Sequence, residues 1–161
     1  YAMTGWRIGY TAGPTEVIKA MSSLQSQVAS GSNSIAQYAA EEALRSPKGP
    51  EEIERMHKAY DERRRHIVSR LNAIDGLKCV MPKGAFYVMV DMSALIGKHL
   101  GDRKIAGSMD FADMLLENAN VALTPGTAFC AEGYCRISYA TSMEQIDKGV
   151  DRIEHFVNSL V

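Results

Sequence analysis

Residues 45–50 have the sequence RSPKGP, and this stretch separates two parts of the chain whose patterns differ. Two prolines and a glycine among charged residues end a helix and favour exposed backbone. Before the stretch, apolar residues recur mainly at helical spacing, whereas after it helical patterns alternate with short runs of strand period. The sequence therefore predicts a linker near residues 47–50 and two structural parts, residues 1–47 and residues 48–161.

The first part begins with YAMTGWRIGY, in which apolar residues alternate with Arg7 and Gly9 at strand period. A strand and two helices are predicted here, the second helix opened by a capping box from Ser34 to Gln37. The first helix has an apolar stripe, formed by Val17, Met21, Leu24 and Val28. Natural N-termini are usually polar, so this apolar start is expected to come from the interior of a longer natural chain. Because a single strand needs neighbours, we expect residues 1–47 to be an incomplete piece of a larger domain.

The second part alternates helices with short strands. A long helix is predicted from Glu51 to Gly76, another over residues 108–118, and a last one opened by a capping box from Thr141 to Glu144. Strands are predicted at LKCV, AFYVMVD, VALT and YCRISYA. This order describes a small sheet covered by helices mostly on one face, which is the α+β class.

Composition narrows the function classes. The chain has 161 residues, 46% of them hydrophobic, and a formal net charge of −1, so no long-range field attracts nucleic acid or an anionic membrane. The arginine run at 63–65 lies among acidic residues and is predicted to be a solvated helix face. The three cysteines of the chain form no CxxC pattern, which predicts reduced thiols, a cytoplasmic protein and no metal site. No apolar run reaches the roughly 20 residues of a membrane span.

Three stretches have residues suited to chemistry. Arg7 in GWRIG offers a guanidinium and nearby backbone N–H groups to a phosphate, or it simply covers a sheet edge. Arg136 in YCRISYA shares a strand face with Tyr134 and Ser138, and this face either binds a carboxylate or faces water. The TPGTAF loop at residues 124–129 is a Pro-Gly turn that leads into that strand. Taken one at a time, these patterns leave both interpretations open.

Taken in order, YAMTGWRIGY, PKGAFYV, TPGTAF and YCRISYATS resemble the C-terminal half of the fold-type-I, pyridoxal-phosphate-dependent aminotransferases of class I/II. The resemblance is greatest to the bacterial aspartate aminotransferases and covers essentially the whole chain. It implies that residues 1–47 are the last strand and two helices of the large α/β cofactor-binding domain. Residues 48–161 would then be the C-terminal small domain of a homodimeric enzyme.

The resemblance also implies roles for individual residues. Arg7 is expected to bind the cofactor phosphate, Arg136 the substrate α-carboxylate, and Phe86 to line the substrate side. Both anions suit a planar guanidinium fork better than a flexible ammonium. The polar loop at residues 30–34 matches the family segment that reaches toward the partner subunit's active site. Cys130 stands where the family usually has a glycine after TAF.

In the family, the lysine that forms the Schiff base with the cofactor occurs in a string like SKAYAMTGWR, two residues before the tyrosine that is Tyr1 here. This chain is therefore expected to begin just downstream of that lysine. Without the lysine the chain alone is expected to be inactive, because the cofactor chemistry needs it as covalent partner and proton shuttle.

The function implied for the intact protein is transfer of an amino group from an amino acid, with aspartate expected, to 2-oxoglutarate through pyridoxal phosphate. Aromatic, prephenate and alanine aminotransferases of the same family remain alternatives, because side-chain selectivity depends largely on residues upstream. A stand-alone binding or structural domain without catalysis is the alternative from another functional class.

Overall fold

The computed structural model describes residues 1–161, which form two compact units, Tyr1–His57 and Lys58–Val161. The five helices are α1 (Thr15–Ala29), α2 (Ser34–Arg45), α3 (Gly49–Asn72), α4 (Ser108–Ala119) and α5 (Met143–Asn158). The six strands are β1 (Lys78–Cys79), β2 (Tyr87–Asp91), β3 (His99–Leu100), β4 (Arg103–Lys104), β5 (Thr124–Pro125) and β6 (Tyr134–Ser138). The two units divide within α3, C-terminal to the predicted linker. No helix has both the length and the apolar composition needed to cross a membrane.

The N-terminal unit contains helices and no strand. The strand predicted at residues 6–10 is wrong, because Thr4–Trp6 form a 3₁₀ helix and residues 7–14 have no regular structure. A strand persists only when its backbone groups pair with a neighbouring strand, and this unit contains none. Ala36 is the only buried residue of the unit, and the apolar stripe of α1 is exposed.

Helix ends differ from the prediction by one residue or a few. Helix α2 is capped by Asn33, whose Oδ1 accepts from Ala36 N at 3.0 Å, and α5 is capped by Ser142, whose Oγ accepts from Gln145 N at 3.3 Å. The predicted caps, one residue away in each case, are equally good capping types, so pattern alone does not choose between them. Helix α3 ends at Asn72, and Gly76 lies in the following turn with φ +87°.

The C-terminal unit is built on a four-stranded antiparallel sheet with the order β1-β2-β6-β5. Strands β2 and β6 pair along their full length, with Val90 opposite Cys135 and Met89 opposite Arg136. Val88, Val90 and Cys135 are buried on one face in the core formed with α3, α4 and α5. A separate hairpin pairs β3 with β4. The predicted α+β class, with helices on one face of a small sheet, is confirmed.

The end of α3 is fastened to β1 by one side chain. Asn72 Nδ2 donates to Cys79 O at 2.9 Å, and Asn72 Oδ1 accepts from Cys79 N at 2.8 Å. An amide group can satisfy one backbone donor and one backbone acceptor at once, as a neighbouring strand does. Asn72 therefore fixes the register of the helix end against the sheet.

We expect Asn72→Ala to lower the free energy of unfolding by about 1 to 2 kcal/mol, because two hydrogen bonds to backbone are lost. Equilibrium urea unfolding followed by circular dichroism measures this change. Asn158→Ala is the matched control, since Asn158 is also the last residue of a helix and makes no side-chain hydrogen bond. Equal effects of the two substitutions would contradict the role of Asn72.

Helices α3 and α5 are joined by an ion cluster. Arg70 donates to Asp147 at 2.8 Å and to Asp151 at 2.5 Å, and His66 Nε2 lies 2.5 Å from Asp147 Oδ1. The hydrogen bond with His66, together with the charge of Arg70, lowers the pKa of Asp147 from its ordinary value of 3.8, although desolvation opposes this shift. The folded state thus favours the ionised carboxylate.

A lowered pKa in the folded state means that Asp147 stabilises the fold above pH 3.8 and that this stabilisation is lost as the pH falls through the lower, folded-state value. We therefore expect the difference in unfolding free energy between wild type and Asp147→Asn to shrink below about pH 4. Urea unfolding at a series of pH values tests this. Asp102→Asn, at an exposed aspartate in the β3–β4 turn, should show no such convergence. A constant difference for Asp147→Asn across the acid range would refute the assignment.

Candidate active site

Arg136 lies at the centre of β6, on the sheet face opposite the core. It stands opposite Met89 of β2 and Thr124 of β5. The predicted alternation is confirmed, because Tyr134 and Ser138 are exposed while Cys135 is buried on the other face. Two flanking strands therefore fix the backbone of Arg136, and its half-buried side chain rises from a rigid element.

Two aromatic rings enclose the guanidinium of Arg136. Its Cζ atom lies 4.3 Å from the ring centroid of Tyr87 and 4.4 Å from that of Phe129. Both distances are within the range in which a cation is attracted to the face of a ring. This contact limits the rotation of the guanidinium while leaving its N–H groups at the perimeter unused.

The donors of Arg136 have no partner within the chain. The guanidinium forms neither a hydrogen bond nor an ion pair, and no side-chain nitrogen or oxygen in the structure is both buried and unpaired. Its nitrogens therefore remain accessible. An oriented guanidinium with free donors is suited to bind a carboxylate through two parallel hydrogen bonds.

The segment that carries Tyr87 is held from two sides. Tyr139 Oη donates to Ala85 O at 2.8 Å, and Arg64 Nη1 donates to Pro82 O at 2.7 Å. Arg64 also pairs with Asp61, so this member of the arginine run is not the fully solvated side chain that the sequence predicted. It anchors the loop before β2.

Phe86 immediately precedes β2 and Tyr87 begins it, and their ring centroids lie 4.4 Å apart. The Phe86 ring packs toward the core, 6.3 Å from the centroid of Tyr60, whereas Tyr87 lies against Arg136. The substrate-side role of Phe86 stays a prediction, and the structure places Tyr87 at the guanidinium. Sequence reasoning missed Tyr87 and Phe129, because the register that aligns them with Arg136 depends on contacts between strands distant in sequence.

Phe129 is presented by a tight loop between β5 and β6. Gly126 begins a 3₁₀ helix that ends at Phe129, and Cys130 follows with φ +55°. Glycine adopts this left-handed conformation without a steric cost, whereas other residues pay roughly 1–2 kcal/mol. This accounts for the glycine that the family resemblance led us to expect where the chain has Cys130.

Arg7 lies in the N-terminal unit and is exposed. Its backbone is left-handed, with φ +54°, and its Nη1 donates to Thr4 O at 3.1 Å. The side chain forms no ion pair, and a Cβ added at Gly5 or Gly9 would meet no atom within 4 Å. Because Arg7 is exposed and the nearby glycines add no side chain, its guanidinium is open to an anion from the solvent.

The loop at residues 30–34 joins α1 to α2 and is exposed. Ser30 has φ +57°, and Gln37 Nε2 donates to Ser32 O at 2.9 Å. Its approach to a partner subunit stays a prediction.

Comparison with known proteins identifies the family of the chain. The family model of the class I and II aminotransferases matches residues 1–153. The chain belongs to the class I and II aminotransferases. It is 47% identical over 161 residues to an aspartate/prephenate aminotransferase of Cereibacter sphaeroides and 44% identical over 154 residues to a probable aspartate/prephenate aminotransferase of Aquifex aeolicus. These matches cover 99% and 96% of this chain but only 40% and 38% of the relatives.

Solved aminotransferase structures agree. The aspartate aminotransferase of Rhizobium meliloti matches all of this chain with a TM-score of 0.91 and 42% identity, over 40% of its own length. The aromatic aminotransferase of Pyrococcus horikoshii matches 98% of the chain with a TM-score of 0.83 and 38% identity, again over 40% of its length. The family that the sequence resembles is thus confirmed, and the chain spans about two fifths of these aminotransferases.

The three cysteines differ in reactivity. Burial raises the pKa of Cys79 to about 11, and burial together with the nearby Cys79 raises that of Cys135 to about 12. Cys130 is exposed, and all three thiols are free. No group of histidine, cysteine, aspartate or glutamate residues is arranged to hold a metal ion.

We expect iodoacetamide at about pH 8 to alkylate Cys130 alone in the folded chain, because only the thiolate reacts and the other two thiols are protonated and enclosed. Peptide mass mapping after a short exposure identifies the modified residue. The same treatment in denaturant should modify all three cysteines. Native labelling of Cys79 or Cys135 at the rate of Cys130 would show that the core is open.

Proposed function

We propose that the protein containing this chain is a pyridoxal-phosphate-dependent aminotransferase that moves an amino group from aspartate to 2-oxoglutarate. In this proposal the chain supplies Arg136 for the substrate α-carboxylate and Arg7 for the cofactor phosphate. The observation on which it rests is the unpaired guanidinium of Arg136, held between two aromatic rings.

The position of Arg136 between two aromatic rings favours binding of the substrate α-carboxylate. Amino-acid and oxo-acid substrates share a carboxylate next to the reacting carbon, so one bidentate contact serves both halves of the transfer. The aromatic faces of Tyr87 and Phe129 keep the guanidinium plane fixed before substrate arrives, which reduces the ordering cost of binding. Holding that carboxylate also orients the α-carbon of the substrate.

The residues of this chain also fit the cofactor. Arg7 offers an always charged guanidinium that has no acidic partner, with open space around its neighbouring glycines, which suits a phosphate dianion. When bound, pyridoxal phosphate supplies an electron sink that stabilises negative charge on the substrate α-carbon. The contribution of this chain is to hold the phosphate end and the substrate carboxylate. We expect the chain alone to be inactive, since the proposed covalent lysine is not among its residues.

The substrate choice draws support from the names of relatives. Those from Rhizobium meliloti and Bacillus are named aspartate aminotransferases, and those from Nitrosomonas europaea and Cereibacter sphaeroides aspartate/prephenate aminotransferases. Prephenate is therefore a second acceptor to be tested beside 2-oxoglutarate. The α-carboxylate contact of Arg136 is the same for both.

We also propose a homodimer in the cytoplasm. Exposed apolar side chains of the N-terminal unit favour its association with further protein, and Tyr10, with 88% of its surface exposed, is the extreme case. Three free cysteines are in keeping with a reducing compartment.

The two arginines should have separable effects in the full-length enzyme. Arg136→Ala should lower kcat/KM for every amino-acid substrate, because the substrate carboxylate loses its charged partner. The fall should correspond to a loss of about 2 to 4 kcal/mol of transition-state stabilisation. Arg7→Ala should instead weaken retention of pyridoxal phosphate, measured by dialysis and absorbance. Arg136→Lys, which keeps the charge but not the fork, should recover only part of the loss.

Arg103→Ala is the matched control, because this arginine pairs with Glu117 on the surface of the C-terminal unit and should affect neither property. The assignment is wrong if Arg136→Ala leaves the kinetics intact and Arg7→Ala leaves cofactor affinity intact. Both residues would then be ordinary surface arginines.

A further inference from the structure

The loop that carries Phe129 is closed by a contact distant from the ring. It starts at Gly126, where an added Cβ would overlap the carbonyl oxygens of Ala131 and Tyr134. Ala131 N donates back to Gly126 O at 3.0 Å, so the loop returns to its own start. Phe129 stands at the far end of this closed loop with 42% of its surface exposed. The ring is thus partly exposed beside Arg136, and its position depends on the shape of the loop that presents it.

Ser108, the first residue of α4, fastens both ends of this loop. It is the only polar residue with a fully buried side chain, at 0% exposure. Its Oγ accepts from Thr127 N at 3.3 Å and donates to Glu132 Oε2 at 3.2 Å, while its backbone N donates to Glu132 Oε1 at 2.6 Å. The residues held, Thr127 and Glu132, lie on either side of Phe129.

Glu132 acts in place of a local helix cap. Residue Gly107, which precedes α4, has no side chain to accept from the first backbone N–H groups. The Glu132 carboxylate accepts from two backbone N–H groups, those of Ser108 and Gly133, and a negative charge is favoured at a helix N-terminus. A Cβ at residue 107 would lie 2.8 Å from Glu132 Oε1, so the glycine leaves the space that this carboxylate occupies.

We propose that Glu132 and Ser108 are positioning residues for substrate binding, which act by holding Phe129 against the guanidinium of Arg136. Neither residue forms a hydrogen bond or an ion pair with Arg136, and their effect passes through the loop. This inference rests on the proposed function, because it assumes that Arg136 binds the substrate carboxylate. Loss of the contact between Glu132 and Ser108 releases one side of the aromatic enclosure, so the guanidinium is less well oriented when the substrate binds.

A double-mutant cycle in the full-length enzyme tests the proposal. Glu132→Ala should raise KM for aspartate about three- to tenfold and change kcat less than about twofold, because a contact that orients the binding group is weakened. In a Phe129→Ala background the same substitution should leave KM within about 1.5-fold, since the ring through which it acts is already gone. Glu132→Gln should recover part of the effect, because its amide oxygen still accepts from Ser108 N.

Ser108→Ala provides a second, independent variant and should raise KM in the same direction. Asp102→Ala is the control for loss of an exposed carboxylate and should leave KM unchanged. Thermal unfolding of each variant shows whether the fold is intact. A variant that loses its fold is replaced in the cycle by Glu132→Gln or Ser108→Ala, which remove less of the contact.

The outcomes separate the two proposals. An unchanged KM in Glu132→Ala, or an equal rise of KM with and without Phe129, overturns the positioning role while the proposed function stands. Unchanged kinetics in Arg136→Ala overturn the role of Arg136 in binding the substrate carboxylate, and no transfer from aspartate to 2-oxoglutarate by the full-length wild type overturns the proposed function itself. A KM effect that disappears in the Phe129→Ala background supports the positioning role.

Discussion

The pairing of β2 with β6 is the interaction on which the C-terminal unit depends. Five residue pairs join these strands, and their register decides which side chains face the helices and which face outward. Val88, Val90 and Cys135 thereby enter the core. The same register brings Tyr87 of one strand over Arg136 of the other, so a shift of one residue would bury the arginine and remove the site.

Packing and binding thus use opposite faces of one sheet. The core face is closed by α3, α4 and α5, and the ion cluster between His66, Arg70 and Asp147 ties two of these helices together. On the outer face the side chains are half-buried or exposed, and Arg136 has no acidic partner. A rigid support with an unpaired charge is what a site needs to bind an anion without first rearranging.

Much of this arrangement was predictable from local sequence, and the remainder depends on contacts between distant residues. Period-two alternation predicted that Arg136 shares a face with Tyr134 and Ser138. The helical and strand patterns predicted the order of the last three helices and of the four strands of the main sheet, but not the short β3–β4 hairpin. Sequence pattern misplaced the caps of α2 and α5 because adjacent residues are equally able to cap. It predicted a strand at residues 6–10 that the N-terminal unit cannot pair. It also missed Tyr87 and Phe129, whose proximity to Arg136 arises only when β2, β6 and the loop at residues 126–133 come together.

The contact between Asn72 and Cys79 has a consequence for behaviour at high concentration. Strands β1 and β5 form the two edges of the four-stranded sheet, where unpaired backbone groups invite the addition of a strand from another molecule. On β1, Asn72 already occupies both the donor and the acceptor of Cys79, and on β5, Pro125 has no N–H to offer. Each edge strand is also only two residues long. The sheet that carries the arginine is thereby protected at both edges against intermolecular β-sheet growth and aggregation.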